Sequence, residues 1–134
     1  MNDPEWMNMG FMWCKTTILP RTPAWKCKLY SNGYILAEGC IVVRRDHIWV
    51  QYIETHPAHR RKGHARLLMR EIITHAPRKK RYVRLIIIPF NDDPMNRDQL
   101  RSFYAGLGFV GTRKRKDGYQ IWEFDGRNKM FLFE

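Results

Sequence analysis

The sequence predicts an α/β fold in which helices pack on a mixed β-sheet. Three observations lead to this prediction. Runs of β-forming residues separated by turn residues fill the first part of the chain, two later segments repeat apolar residues at helical spacing, and a continuous apolar run lies between them. The chain has 134 residues, of which 44% are hydrophobic, so we expect it to bury a core as a single domain over residues 1–134.

The first strands are expected to form an antiparallel meander. Residues 1–24 are expected to be weakly ordered or to form a short first strand with a loop, because Pro20 and Pro23 exclude a helix. Three β-rich runs follow, and Ser31-Asn32-Gly33 between the first two is a turn signal with glycine where a positive φ is needed. The three runs are Trp25–Tyr30, Tyr34–Arg44 and Ile48–Thr55.

Two amphipathic helices are expected in the second half of the chain. The first runs from about His64 to His75 and ends before Pro77, and the second runs from Asp98 to Leu107 with Gly108 as its stop. The run Tyr82–Ile88 between them is typical of a strand covered on both faces. The apolar residues at helical spacing in the first helix are Ala65, Leu68, Met69, Ile72 and Ala76.

The end of the chain is expected to form a hairpin. Phe109–Arg115 and Tyr119–Phe124 flank a turn at Lys116-Asp117-Gly118. Met130–Phe133 is expected to add a short strand that covers the core or, alternatively, a contact in a homodimer; the sequence leaves a monomer equally open.

The charge of the chain is strongly basic and unevenly placed. Twenty-four lysines and arginines against thirteen acidic residues give a net charge of +11, and ten of those cations but only one acid, Glu71, lie between His56 and Arg84. Such a density favours a polyanionic partner, which would be nucleic acid, an acidic protein or a multiply phosphorylated cofactor.

The remaining composition excludes several classes of protein. Cys14, Cys27 and Cys40 are odd in number and form no CxxC pair, which favours buried, reduced thiols and a cytoplasmic protein. The histidines have no spacing typical of metal ligands, so no metal is expected. No apolar run is long enough for a membrane span, and the first residues do not resemble a secretory signal.

The junction between the strand Ile48–Thr55 and the following helix has the features of an anion site. The loop AHRRKGH carries Arg60 and Lys62 directly into the helix, and Gly63 permits close backbone approach. The first helical turn offers N–H groups without intrahelical partners, and the helix dipole adds positive potential. A pyrophosphate fits such a loop, although neither a P-loop nor a GxGxxG pattern is present.

The same stretch resembles the GNAT acyltransferase superfamily. Residues 60–65 (RRKGHA) are similar to the family's Gln/Arg-x-x-Gly-x-Gly/Ala signature, Thr55-His56-Pro57 resembles the V-x-P that ends its fourth strand, and residues 103–109 (FYAGLGF) resemble its F-Y-x-x-L-G-F helix end. The similarity extends over residues 34 to 124. It implies a GNAT-like, mostly antiparallel sheet whose fourth and fifth strands splay apart, with acetyl-CoA in the gap between residues 53–56 and 85–89.

The resemblance also assigns roles to individual residues. Backbone amides of residues 61–65 would hold the diphosphate, and the 3′-phosphate would meet nearby cations. Amides near Glu54 to His56 would polarise the thioester carbonyl. Asn96 would contact the pantetheine, although it is one position away from the family's asparagine. The expected cofactor-binding residues are Thr55, Arg60, Arg61, Lys62, Gly63, His64, Ala65, Arg66 and Asn96, with the run Arg78–Arg81 as a further candidate for the 3′-phosphate.

Catalysis would need a proton donor and a base. Tyr104 matches the family tyrosine that protonates the departing thiolate; the alternative is a core aromatic at helical spacing. Glu54, at the end of the fourth strand, is the first candidate for the base, and His56 is the second because histidine changes charge near neutral pH. The structural alternatives, a solvent-facing glutamate and a histidine that merely ends a strand, remain open.

The acceptor is not specified by the sequence. The short segment before Trp25 leaves little room for the two helices that the family usually places between its first strands, which implies an open cleft suited to a macromolecular amine on a protein or a tRNA. The basic residues Arg113–Lys116 would steer such an acceptor, or form a solvated turn. The alternative function is a module that binds coenzyme A, nucleic acid or protein without catalysis and regulates a partner complex.

Overall fold

The computed structural model describes residues 9–19, 21–60, 62–88 and 96–127. The chain divides into two compact units. The first unit contains the chain up to Arg44 together with Val50–Lys79, and the second contains Arg45–Trp49 together with the chain from Lys80 onward. Each unit is described in turn.

The first unit is built on an antiparallel meander of four strands. β1 (Met9–Ile18), β2 (Thr22–Ser31), β3 (Tyr34–Val43) and the later part of β4 (His47–Thr55) lie in this order in the sheet. β1 pairs with β2 over ten residue pairs, from Met9↔Ser31 to Ile18↔Thr22. The sequence predicts at most a short strand here, because the prolines mark only the connection and cannot reveal the long-range pairing.

The connections between these strands are short. No helix lies between β1 and β2 in the described residues 9–19 and 21–31, as the resemblance and the sequence predict. Asn32 and Gly33 adopt φ values of 51° and 81°, which is the left-handed pair that a two-residue hairpin turn requires. Pro23 is tolerated because the β2–β3 ladder begins only at Trp25↔Ile41.

Helix α1 (His64–His75) packs its apolar face on β2 and β3. Its bounds are those that the sequence predicts, with Leu68, Met69 and Ile72 fully buried. Gly39 on β3 permits the close approach, because a Cβ there would lie 2.9 Å from Cδ1 of Ile72. A turn of 3-10 helix, Pro57–His59, precedes α1 where the sequence predicts only a loop.

The second unit contains β5 (Tyr82–Ile86), α2 (Arg97–Gly106), β6 (Val110–Lys116) and β7 (Tyr119–Asp125). β7 is antiparallel to both β5 and β6. The first residues of β4 also belong to this unit and pair with β5 in parallel over three residue pairs, from His47↔Tyr82 to Trp49↔Arg84. The strand order β1-β2-β3-β4-β5-β7-β6 confirms the predicted mixed, mostly antiparallel sheet with helices.

The second unit differs from the prediction at β5 and at the hairpin turn. β5 is not covered on both faces. Val83 and Leu85 are buried, while Tyr82, Arg84 and Ile86 are only half-buried, and on this second face Arg84 forms an ion pair with Glu123 of β7. The hairpin turn consists of Asp117 and Gly118 alone, with φ values of 53° and 83°. The strand expected at Met130–Phe133 lies outside the described residues. Among the described helices, none is long and apolar enough to cross a membrane.

Candidate functional site

The end of β4 is fixed by three hydrogen bonds. The amide of His56 donates to the carbonyl oxygen of Leu36 at 2.9 Å, and Nε of Arg60 donates to the carbonyl oxygen of Thr55 at 3.3 Å. The amide of Ala58 donates to Nδ1 of His56 at 3.2 Å. The amide of His56 is therefore already engaged, which removes it from the backbone groups expected to polarise a carbonyl.

The hydrogen bond from Ala58 also limits what His56 can do. A backbone N–H only donates, so Nδ1 of His56 must accept, and the neutral ring carries its proton on Nε2. A base needs a free lone pair, and the remaining ring nitrogen has none in this arrangement. Glu54, the first candidate for the base, has an exposed side chain at the end of the same strand.

Three histidine rings lie close together around the Pro57–His59 turn. The ring of His59 lies 5.6 Å from that of His56 and 6.3 Å from that of His64 between centroids. His64 is only 3% exposed, so its side chain belongs to the core and only its backbone can face a ligand. Sequence alone could not reveal this, because histidine is intermediate between the residue types that are usually buried and those that are usually exposed. Among the described residues, no group of three His, Cys, Asp or Glu side chains could hold a metal ion.

The start of α1 has the local geometry of an anion site. Gly63 is the N-cap in the left-handed conformation, with φ 81°, and the first turn contains no acidic residue. The first intrahelical bond runs from the amide of Leu67 to the carbonyl of Gly63 at 3.1 Å, so the amides before Leu67 precede the hydrogen-bonded part of the helix. Lys62 is exposed and Arg66 is half-buried here, and Ala65 lies between His64 and Arg66; Arg61 is outside the described residues.

Polar side chains on adjacent strands form a group that the sequence does not single out. The hydroxyl of Tyr52 on β4 donates to Glu38 on β3 at 2.6 Å, and Nζ of Lys28 on β2 lies 3.9 Å from the other oxygen of Glu38. Burial and the Glu38 carboxylate raise the pKa of Tyr52 above its usual range, with Glu54 adding to the shift. The i, i+2 spacing places Tyr52 and Glu54 on one face of β4. This spacing is the feature of the sequence from which part of the group could have been predicted.

Tyr104 lies on α2 in the second unit. Its half-buried ring packs edge-on against Phe103 and Phe109, with centroid distances of 5.1 and 5.7 Å. Its carbonyl oxygen accepts the amide of Phe109 at 3.0 Å, and Gly108 takes a φ of 99° to allow this helix end. The motif that ends with L-G-F thus fixes the position of the tyrosine backbone.

Asn96 begins the same helix. Its Oδ1 accepts the amide of Gln99 at 2.9 Å, and Oε1 of Gln99 accepts the amide of Asn96 at 2.9 Å. This reciprocal pair is a capping box, which stabilises the start of a helix. The side-chain oxygen expected to contact pantetheine is therefore already used within the helix.

Comparison with known proteins agrees with this geometry. A family model described as "Acetyltransferase (GNAT) domain" matches residues 27–111. The fold is similar to the ribosomal-protein-S18-alanine N-acetyltransferase from Escherichia coli, with 21% identity, a TM-score of 0.58, and coverage of 75% of this chain and 67% of that one.

Two further solved structures are similar. The GNAT domain of S. lividans PAT is 19% identical to this chain, with a TM-score of 0.62. The aligned region covers 76% of this chain and 60% of that one. The PaiA N-acetyltransferase from Thermoplasma acidophilum, solved in complex with coenzyme A, has 13% identity, a TM-score of 0.57 and coverage of 76% and 60%. These similarities establish the fold, and none of the curated proteins matches the sequence. Because the matched residues 27–111 make up more than half of the chain, the protein belongs to the GNAT acetyltransferase family.

Proposed function

We propose that the protein transfers an acetyl group from acetyl-CoA to a primary amine. The observation that carries the proposal is the junction of β4 with α1, where a left-handed glycine precedes a helix whose first turn is free of acidic residues. Family membership over residues 27–111, which include this junction and Tyr104, supports the assignment. The similarity to a structure in complex with coenzyme A supports the choice of cofactor.

The phosphates of the coenzyme would be held mainly by backbone. The amides of residues 61–65 would hold the diphosphate, since amides at a helix start bind anions without displacing a capping side chain. Lys62 and Arg66 would add charge, whereas Arg60 uses its Nε to fix the carbonyl of Thr55 and His64 would contribute its amide alone. Asn96 caps the helix with its side-chain oxygen, and its contact with pantetheine stays a prediction.

The chemistry requires two proton transfers. The acceptor nitrogen loses a proton as it attacks the thioester carbon, the C–N bond forms, the C–S bond breaks, and the departing sulfur needs a proton. We assign Glu54 as the base that takes the proton from the amine, directly or through water. We assign the hydroxyl of Tyr104 as the donor to sulfur, held by the packing of its ring on Phe103 and Phe109.

The acceptor would be a macromolecular amine. The direct β1–β2 hairpin removes the helices that the family usually places there, which supports an open acceptor side. One structural relative acetylates an alanine of a ribosomal protein according to its description, so a protein amine is one candidate, and a tRNA-linked amine is another because the chain carries a net charge of +11. The three unlinked cysteines support a reducing compartment such as the cytoplasm.

The test measures cofactor binding and turnover separately. Calorimetric titration with coenzyme A should give a saturable heat, and incubation with acetyl-CoA and a pool of lysine peptides or aminoacylated tRNA should release free thiol. Tyr104→Phe should abolish most of the release, while Tyr34→Phe, at an exposed position on β3, serves as the matched control. Saturable binding without thiol release on any acceptor would favour the regulatory module instead. No heat with coenzyme A would refute the acetyltransferase and a module that binds coenzyme A, and would leave only a module that binds nucleic acid or protein.

A further inference from the structure

A cleft of about 110 Å³ lies in the second unit beside α2 and the β6–β7 hairpin. Arg97 and Arg101 reach it from α2, Arg115 from β6, and Tyr119 and Trp122 from β7. A single buried water needs only about 10–15 Å³ of such space, so the cleft is large enough for a phosphate group. Arg97 and Arg101 are one helical turn apart on α2, and the fold brings Arg115 of β6 to the same place.

The cleft has a strongly positive lining. It contains three guanidinium groups, and none of its lining residues is acidic. The two carboxylates of the adjoining strand are engaged elsewhere: Glu123 pairs with Arg84 at 2.6 Å and Asp125 with Arg81 at 3.2 Å. The lining therefore carries more positive charge than its surroundings neutralise.

One carboxylate does approach the cleft from α2. Asp98 lies 3.5 Å from NH1 of Arg101, but its side chain is 88% exposed. An ion pair so open to solvent is worth little and is readily exchanged. Arg101 can therefore leave Asp98 for a stronger anion.

The other two arginines are held in place by neighbours that are not acidic. The guanidinium of Arg97 lies over the ring of Tyr119, 5.7 Å from its centroid, and NH2 of Arg115 donates to the carbonyl of Gly118. A guanidinium has five N–H donors, so each of these contacts leaves several for a ligand. The arginines are thus positioned without being neutralised.

Arginines together with aromatic rings favour one class of ligand. Phosphate oxygens match the guanidinium fork, and unpaired bases stack on aromatic or guanidinium planes. The other cations of β6, which are Arg113, Lys114 and Lys116, are exposed but do not line the cleft. An acidic peptide would use the charges but not the rings.

We propose that this cleft binds a backbone phosphate of a single-stranded nucleic acid, with an adjacent base against Tyr119 or Trp122. The site concerns binding alone and does not depend on acetyl transfer. If the proposed function also holds, the nucleic acid would present the amine acceptor. The same phosphate chemistry occurs in coenzyme A, so the experiment must separate these two sources.

The test is fluorescence anisotropy with a labelled 12-nucleotide RNA and the DNA of the same sequence, titrated with the full-length protein without coenzyme. Arg101→Gln and Arg115→Gln should each weaken binding roughly tenfold, since a charged hydrogen bond is lost. The slope of log affinity against log salt should become less negative by about 0.7 for each phosphate contact removed. Arg113→Gln is the matched control, because it removes the same charge from an exposed position that does not line the cleft.

The outcomes are distinct. Equal losses in Arg101→Gln and Arg113→Gln would mean that only diffuse surface charge matters and would overturn the proposal. Equal competition by polyglutamate of the same length would assign the cleft to acidic protein. If the cleft variants lose affinity for coenzyme A in calorimetry while their oligonucleotide binding is unchanged, the cleft belongs to the coenzyme. Absence of thiol release would refute the acetyltransferase proposal and leave this one standing.

Discussion

Replacing Gly63 with alanine tests whether the start of α1 binds the coenzyme. Gly63 has a φ of 81°, and a Cβ built there meets nothing within 4 Å, so the substitution adds backbone strain without a clash. Alanine in the left-handed region costs about 1–2 kcal/mol. In a chain of this size we expect the midpoint of thermal unfolding to fall by roughly 4–7 °C.

The chain offers a closely matched control for this strain. Gly33, in the β2–β3 turn, has the same φ of 81° and the same open surroundings. Gly33→Ala and Gly63→Ala should therefore lose similar stability in denaturant titrations. Only Gly63→Ala should also weaken the binding of coenzyme A, by at least about tenfold, because relaxation of φ redirects amides that would donate to the diphosphate.

The comparison can refute the reasoning in two ways. If both variants bind coenzyme A with the affinity of the parent, the amides at the start of α1 do not hold the diphosphate. If both lose affinity equally, the effect is one of general stability. Calorimetry at a temperature well below both unfolding midpoints separates these cases from the expected one.

Three further outcomes are expected. Tyr104→Phe should lower kcat for thiol release by about 10²–10⁴-fold with little change in coenzyme affinity, because phenylalanine keeps the ring contacts and loses only the proton donor. A rate equal to that of Tyr34→Phe would show that Tyr104 is not the proton donor. Burial, with Glu71 and Cys14 nearby, raises the pKa of Cys27 to about 12 from 9.0, so the unfolded thiol ionises first as pH rises. The free energy of unfolding should then be unaffected by this group below pH 9 and fall above it by up to about 1.4 kcal/mol per pH unit, and a Cys27→Ala variant with an equally steep profile would contradict this. Glu123→Gln should lower the free energy of unfolding by about 2 kcal/mol in urea titrations, since it removes the partner of Arg84, whose side chain is only 13% exposed. Asp98→Asn should lower it by no more than about 0.5 kcal/mol, since the side chain of Asp98 is 88% exposed in its pair with Arg101.

Features encoded by neighbouring residues were predictable from the sequence. Helix α1 begins and ends at the expected residues, because the apolar spacing, Gly63 and Pro77 all act within one segment. The turn at Asn32-Gly33 is similarly local, since only its own backbone angles are required. The motif around Tyr104 predicts a helix end, and the bond from the amide of Phe109 to the carbonyl of Tyr104 provides it.

Features that depend on pairing between distant residues were not predictable. The length of β1 follows from its ladder with β2, and the bond between Tyr52 and Glu38 requires the register of two strands. The occupied amide of His56 depends on Leu36, twenty positions earlier in the chain. The arginine-lined cleft combines a helix with a hairpin, and no linear pattern indicates that its members meet.

The parallel pairing of β4 with β5 has a consequence for how the chain folds. The hairpins β1–β2, β2–β3 and β6–β7 each join residues that are close along the chain, so they can form early. The contact of His47 with Tyr82 instead requires closure of a segment of about 35 residues that includes α1. Only three residue pairs of the ladder stabilise the closed segment. Formation of this crossover is therefore expected to set the folding rate, and ordering of α1 on β2 and β3 should precede it.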